Sequence, residues 1–256
     1  MILDVNAFIG KWPYWPIAAS TGAEVRALLA SWGIQRAAIC STRGLFVNWE
    51  DGNAETEREA AASGGALIPM ACLGPLELSH RLGETTYDFG AYAARGFRGV
   101  RLYPQHHSYH PLYEATIEAI LEDAARRGWP VMLPLRVIMN WGLPMLDIGV
   151  MAALITRHPR VNWILAGINY LFELQMAVSM MRRFERVHLE TSCIMGFHAI
   201  AKTVQQVGAE RLLFGSGSPL QNGAAVAAKI AHAEISDAAR EAIFYLNARR
   251  LFGLTD

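Results

Sequence analysis

The sequence predicts a single-domain (β/α)8 barrel over residues 1–256. Short apolar runs alternate strictly with helical patterns, the alternation repeats eight times, and 256 residues suit one such barrel. The competing architecture is an open doubly wound sheet, but no Gly-x-Gly-x-x-Gly follows an early strand. No further repeat, low-complexity tract or linker divides the chain.

The first strand opens where Leu3 and Val5 alternate with Asp4 and Asn6. Pro13 and Pro16 keep the following aromatic loop out of the helical region. Thr21 and Glu24 have the spacing of a capping box, which starts a helix over 22–32. Strands follow at 37–40, 67–72, 99–103, 130–135, 161–166, 187–191 and 211–215. Helices follow at 50–63, 86–95, 113–127, 147–157, 172–183, 198–207 and 224–233, with a last one at 236–251. Phe172, Met176, Met180 and Phe184 recur at helical spacing and read as the buried face of their helix.

Composition narrows the function. Lys and Arg number 23, equal to Asp and Glu, so neither a nucleic-acid stripe nor a charged tail is expected. The three cysteines, Cys40, Cys72 and Cys193, form no CxxC pair and fit a reducing compartment. The first residues carry no basic-then-apolar leader, and no uncharged apolar run reaches bilayer length. The expectation is a cytoplasmic protein with no membrane partner.

Strand phase places the chemistry. If Val100 and Leu102 face the helices, Arg101 and Tyr103 face the interior, and the same alternation puts Asp4, Asn6, His188 and Glu190 inside. Active sites in this fold lie at the carboxyl ends of the strands. Asn6, Tyr103, Arg136 and Ser192 reach that rim, with Arg43, His107 and Asn169 in the loops above. The set leans cationic, through Arg43, Arg101 and Arg136. A guanidinium fork matches a carboxylate, so a small anionic ligand is expected. The alternative is that Asp4 and Glu190 neutralise Arg101 and Arg136 in a buried structural network.

The stretch 99–111 concentrates His106, His107 and His110. Pro104 and Pro111 bracket it, so no helix is expected to align the three as metal ligands. His107 suits a general base, with Tyr103 and Asn6 as hydrogen-bonding partners. The cysteines fall at strand ends, where a thiol serves as a nucleophile or as a small buried hydrophobe. Ser216 lies in a Gly-Ser turn that is no nucleophile elbow but offers backbone N–H groups to an anion. The aromatic loop 12–15, with Trp49 and Trp141, suits a lid or a homodimer contact.

Several stretches resemble the amidohydrolase superfamily, in its amidohydrolase-related branch of hydrolases and decarboxylases. Ile2-Leu3-Asp4-Val5-Asn6-Ala7-Phe8 is similar to the first-strand D-x-H-x-H, and Gly96-Phe97-Arg98-Gly99-Val100-Arg101-Leu102 to G-F-K-G-[IV]-[KR]-L. The run from His158 to Gly167 is similar to H-P-x-L-x-[FI]-x-L-A-H, and that from Arg211 to Pro219 to R-[IL]-L-F-G-S-D-x-P. Asn247 to Leu254 matches the usual ending. The resemblance implies the barrel fold. It also implies metal-ligand positions that here hold Asn6, Phe8, Pro134, Gly167 and Gly217. Phe, Pro and Gly side chains donate nothing to zinc or manganese, so no metal and no cofactor are expected. The resembling pyrone dicarboxylate lactonases act without a metal. Two functions follow. One is a metal-independent hydrolase of a carboxylate-bearing lactone or ester, with Arg43, Arg101, Arg136, Asn169 and Ser216 binding substrate and a decarboxylase as its variant. The other is an inactive barrel that binds small molecules or acts as a scaffold.

Overall fold

The computed structural model describes residues 1–76, 86–139, 142–169 and 171–255, with only the backbone described at Leu171. Trp141 lies outside the described residues. The strands are β1 Leu3–Ile9, β2 Arg36–Ser41, β3 Leu67–Pro69, β4 Ala71–Leu73, β5 Val100–Leu102, β6 Pro130–Pro134, β7 Asn162–Ala166, β8 Val187–Glu190 and β9 Leu212–Leu213. Every pairing is parallel, in the orders β1-β2-β3 and β4-β5-β6-β7-β8-β9.

β3 and β4 are one barrel strand handed from one neighbour to the next at Met70. The Met70 N–H bonds the Ile39 carbonyl at 2.9 Å, and the Ala71 N–H bonds the Gly99 carbonyl at 2.8 Å. At the other seam three backbone bonds join the ends of the chain. Val5 N–H donates to the Phe214 carbonyl (2.9 Å), Gly217 N–H to that of Asn6 (2.7 Å) and Phe8 N–H to that of Ser218 (2.7 Å). Counting β3 and β4 together, this is the expected eight-stranded α/β barrel.

The helices are α1 Gly22–Ser31, α2 Arg43–Phe46, α3 Trp49–Ala61, α4 Phe89–Ala94, α5 Pro104–His107, α6 Ala115–Arg127, α7 Ile148–Arg157, α8 Leu171–Arg183, α9 Ala199–Val207, α10 Gly223–Ala231, α11 Asp237–Glu241 and α12 Asn247–Leu251, with a π-helical turn Ala242–Leu246 before α12. The capping box at α1 forms as expected: Thr21 Oγ1 accepts from Glu24 N–H, and the Glu24 carboxylate accepts from Thr21 N–H. The helix-facing strand residues Ile39, Val100, Leu102, Leu133, Trp163 and Leu165 pack in one cluster with Val25, Ile117, Leu154 and Val178. A second, inner cluster holds Ala38, Ile68, Met70, Met132, Ile164 and Leu213. Tyr245, Ala248 and Phe252 from the C-terminal helices plug its lower end.

Three expectations need correction. Leu3 and Val5 pack in the inner cluster, not toward the helices, because β1 shifts register between Asp4 and Ala7. The irregularity resets the alternation, so Asn6 and Phe8 both face inward while Asp4 turns to the strand seam. The histidine stretch does form a helical turn: Pro104 takes the first position of α5, where a missing N–H costs nothing, and Ser108 ends it in the left-handed region. Finally, Phe172 is exposed. The buried face of α8 is Leu174, Ala177, Val178, Met180 and Met181, with Met176 and Phe184 of the expected stripe partly buried against the same core.

Candidate active site at the barrel mouth

The inner wall is set by Arg101, wholly buried because its neighbours Val100 and Leu102 take the helix side. Its Nη1 donates to Asn6 Oδ1 (3.1 Å), its Nη2 to the carbonyls of Ala38 (2.9 Å) and Val5 (3.3 Å), and its Nε to Met70 Sδ (3.4 Å). The Phe8 ring centre lies 5.1 Å from the guanidinium carbon, within cation–π range. Such a charge is held by dipoles and a ring face, not by a carboxylate in contact.

Two carboxyls, Asp4 and Glu190, are wholly buried. Asp4 accepts from the N–H groups of Asn6 (2.8 Å) and Ser216 (2.9 Å) and from the Ser216 hydroxyl. Burial pushes its carboxyl above the usual value, and the Ser216 and Asn6 hydrogen bonds and Arg101 oppose that. The donors of the Gly-Ser turn that were expected to meet an anionic ligand are taken up by the Asp4 carboxyl. Ser216 has its N–H and its hydroxyl engaged there. Glu190 accepts from the Ser192 N–H (2.5 Å) and hydroxyl (2.9 Å), and burial raises its carboxyl to about 7. Lys229 supports this wall by donating to the carbonyls of Thr191, Ser192 and Ile194 at 2.8–3.2 Å.

The other arginines are spoken for. Arg136 forms a bidentate pair with Glu173, at 2.7 and 2.5 Å, and also donates to the Gly167 carbonyl at 2.8 Å. Asn169 joins this group, its N–H bonding Glu173 Oε2 (2.8 Å) and its amide Met139 Sδ (2.8 Å). Glu173 was not foreseen. Its only sequence signal is a carboxylate in the first turn of the helix that follows Asn169. Arg43 lies at the surface and pairs with the equally exposed Asp51 at 3.0 Å, so it does not join Arg101 and Arg136. His188 sits at the opposite end of the barrel from the mouth, bonded to the Trp163 carbonyl.

Above Arg101 the mouth is roofed by aromatic side chains. Phe8, Trp12, Trp49, Tyr103, Leu143 and Leu220 form one buried cluster with Cys40 and Cys72, and Trp15 and Phe46 pack against it. Trp12 meets Phe46 edge-to-face at 5.3 Å, Phe46 meets His106 at 5.6 Å, and Trp49 meets His107 at 5.1 Å. Burial holds the Cys72 thiol well above its usual value and the Cys193 thiol at about 11, which favours the reading of buried hydrophobes.

This roof leaves polar atoms without partners. Trp12 Nε1, Trp49 Nε1, Tyr103 OH, Tyr109 OH, His107 Nδ1 and both His106 nitrogens are buried and unbonded among the described residues. More than nine in ten buried polar groups are normally satisfied, so their concentration around one mouth is unusual. His107 Nε2 lies 2.9 Å from the Gly44 carbonyl. A carbonyl only accepts, so Nε2 carries the proton and Nδ1 keeps its lone pair. Burial lowers the His107 pKa, and takes that of His106 to about 4, so both rings are neutral at pH 7. His110 is exposed.

The residues at the family's metal-ligand positions do not fit a divalent ion. Asn6 and Phe8 are turned onto the Arg101 guanidinium. Gly167 has φ +69°, and a Cβ there would lie 2.1 Å from the Arg136 carbonyl oxygen. Gly217 has φ +68°, and its Cβ would lie 2.3 Å from Gln221 Nε2. Backbone atoms leave no room for a histidine side chain at Gly167, and the left-handed φ at Gly217 strains any side chain placed there. The described residues contain no group of three or more His, Cys, Asp or Glu placed to hold a metal ion.

Comparison with solved structures gives matches along nearly the whole chain. An uncharacterised TIM-barrel protein from Bordetella bronchiseptica is 15% identical, with a TM-score of 0.73 and coverage of 98% of either chain. The 5-carboxyvanillate decarboxylase of Sphingomonas paucimobilis is 13% identical, with a TM-score of 0.74 and 99% coverage of both. A candidate 2-pyrone-4,6-dicarboxylic acid hydrolase from Pseudomonas putida is 18% identical, with a TM-score of 0.74 over 98% of this chain and 97% of that one. At these identities the likeness is one of fold. Comparison with curated proteins finds no match. No helix among the described residues is long and apolar enough to cross a membrane. The model of the amidohydrolase family matches residues 17–254, and the chain belongs to that family.

Proposed function

We propose that the protein is a metal-independent enzyme that hydrolyses a small, planar, carboxylate-bearing lactone or ester at the barrel mouth. The observation that carries this reading is the set of unpartnered polar atoms inside an aromatic roof, with His107 Nδ1 among them. Aromatic walls favour a flat ring, and the scattered donors favour its oxygens. Trp12 Nε1, Trp49 Nε1 and the tyrosine hydroxyls are all donors. In the reaction His107 Nδ1 takes a proton from water as the water oxygen attacks the carbonyl carbon. The Tyr103 hydroxyl donates to the oxygen on which charge develops, and the buried Arg101 charge behind it favours that charge. The acyl–oxygen bond then breaks and the leaving oxygen receives the proton from His107. Asn6 holds Arg101 in place. The family membership supports an enzyme, and the pyrone dicarboxylate relative supports a ring carboxylate as substrate.

A decarboxylase is the second reading, favoured by the aromatic roof and by the carboxyvanillate decarboxylase among the structural relatives. A binding barrel without catalysis is the third, favoured by the pairing of Arg136 with Glu173, which leaves that arginine neutralised. The test is a screen of carboxylated lactones, esters and ring carboxylic acids with chelator present, following product and released CO2. Ring opening that survives chelation and is lost in His107→Ala, with the fold intact by circular dichroism, is expected. CO2 release in place of ring opening would transfer the assignment to a decarboxylase. Saturable binding without turnover would leave the binding barrel, and turnover that requires added divalent metal would refute metal independence.

A further inference from the structure

At the end of the barrel away from the mouth, a cavity of about 370 Å³ opens among the starts of β6 to β9 and the last helix. Its lining includes Asn162, His188, Arg186, Arg211 and Arg250, with one acid, Glu185. Three guanidinia are thus gathered in one recess of a chain whose net charge is zero. Among the described residues none of the three is ion-paired. Arg186 Nη1 bonds Asn162 Oδ1 (3.1 Å), Arg250 Nη2 bonds the Glu210 carbonyl (2.8 Å) and Asn247 Oδ1 (3.2 Å), and Arg211 Nη1 bonds the carbonyls of Met181 (2.7 Å) and Phe184 (3.0 Å). By contrast Arg43, Arg58, Arg95, Arg126, Arg157 and Arg240 each pair with a carboxylate.

A helix-capping role explains Arg211, whose partners are carbonyls at the end of α8. It does not explain Arg186 or Arg250, which approach the recess from outside that helix. These bonds use one nitrogen of each guanidinium, so Nε and the second Nη of all three remain without a protein partner among the described residues. A guanidinium has five N–H donors in a fixed fork suited to oxyanions. Arg186 also borders an adjoining cavity of about 430 Å³ with Arg160 and with Arg126, whose charge is offset by Glu122 and Asp123. The ring in its lining is the His188 imidazole, and the size of the recess suits a compact anion.

We propose that this recess binds a small oligoanion, pyrophosphate-like or tricarboxylate-like, through Arg186, Arg211 and Arg250. The site is separate from the mouth. A ligand there would bridge the last helix, which carries Arg250 and plugs the barrel floor, to Arg186 and Arg211 at the entries to β8 and β9. Binding would therefore also raise the melting temperature.

The test is calorimetry on the full chain with pyrophosphate and, separately, with citrate, at low salt so that surface charges are not screened. Saturable one-to-one binding of either is expected, weakened about tenfold or more by Arg186→Ala and by Arg250→Ala. Both residues are exposed, so the variants keep their fold. Arg58→Ala, which removes an equal charge elsewhere, is expected to leave binding unchanged. Preference for pyrophosphate or for citrate identifies the phosphate or the carboxylate form of the ligand. No saturable binding of either probe, or binding that Arg58→Ala weakens as much as Arg250→Ala, would overturn the proposal.

Discussion

Replacing Glu173 by alanine isolates the largest buried charge interaction in the wall of the site. Arg136 and Glu173 are 6% and 11% exposed in their side chains and meet through two short hydrogen bonds. Removal of the carboxylate takes the neutralising charge from a buried guanidinium whose other partners include the Gly167 carbonyl and Met145 Sδ. It also strips the Asn169 N–H of its acceptor. Breaking one side of a buried pair costs about 3–5 kcal/mol, most of it the desolvation of the charge left behind. For a chain of this size each kcal/mol lowers Tm by about 2–4 °C, so a fall of roughly 6–20 °C is expected. Urea denaturation of Glu173→Ala beside Arg136→Met/Glu173→Leu is the assay. The double variant removes both charges and is expected to recover most of the loss. A loss below about 1 kcal/mol in the single variant would place the pair in the range of solvent-screened surface bridges and refute the reasoning.

Two further outcomes are expected. Burial raises the Glu190 carboxyl from 4.5 to about 7, so the folded state binds this proton more tightly than the unfolded chain does. The associated stability is complete below pH about 4.5 and is lost as pH rises through about 7, a change on the order of 3 kcal/mol. Glu190→Gln therefore gains on the wild type in chemical denaturation between pH 5 and pH 8, and a difference that stays flat across that range would count against a raised carboxyl. Gly167→Ala places a Cβ 2.1 Å from the Arg136 carbonyl oxygen at a φ of +69°. The left-handed conformation and the overlap together cost at least about 2 kcal/mol, and a denaturation midpoint equal to that of the wild type would show that the backbone yields freely.

Much of the barrel could be read from the chain because each strand hides one apolar row behind the helices. Val100 and Leu102 placed Arg101 inside, and Val187 and Leu189 placed Glu190 inside. That logic failed in β1. A register shift leaves no mark in a run of alternating residues, and it brought Leu3 and Val5 inside instead of Asp4. The arginine partners were harder to see. Arg101 is held by main-chain oxygens, a thioether and a ring, and such acceptors exist at every position of a sequence. The neutralising carboxylate of Arg136 lies on a helix 37 residues away, where composition and periodicity do not distinguish it from a surface glutamate. The aromatic roof was half visible. Trp12 and Trp49 are legible as loop aromatics, but only folding sets Trp49 against His107 and leaves both indole N–H groups without partners among the described residues.

The seam between the first and last strands bears on how the chain comes to be folded during synthesis. Asp4 is satisfied by Ser216, 212 residues later, and Val5, Asn6 and Phe8 find their backbone partners at Phe214, Gly217 and Ser218. The first strand leaves the ribosome early and must wait for nearly the entire chain before its open edge is covered. Through that interval the N-terminal strands present unpaired N–H and C=O groups, the template on which strands of other chains can add. Contacts of such sequence separation are slow to form because the loop entropy is lost before they reward it. The charged Asp4 at this edge discourages wrong pairing while the nascent barrel is open, and becomes the clasp of the seam once residue 216 arrives.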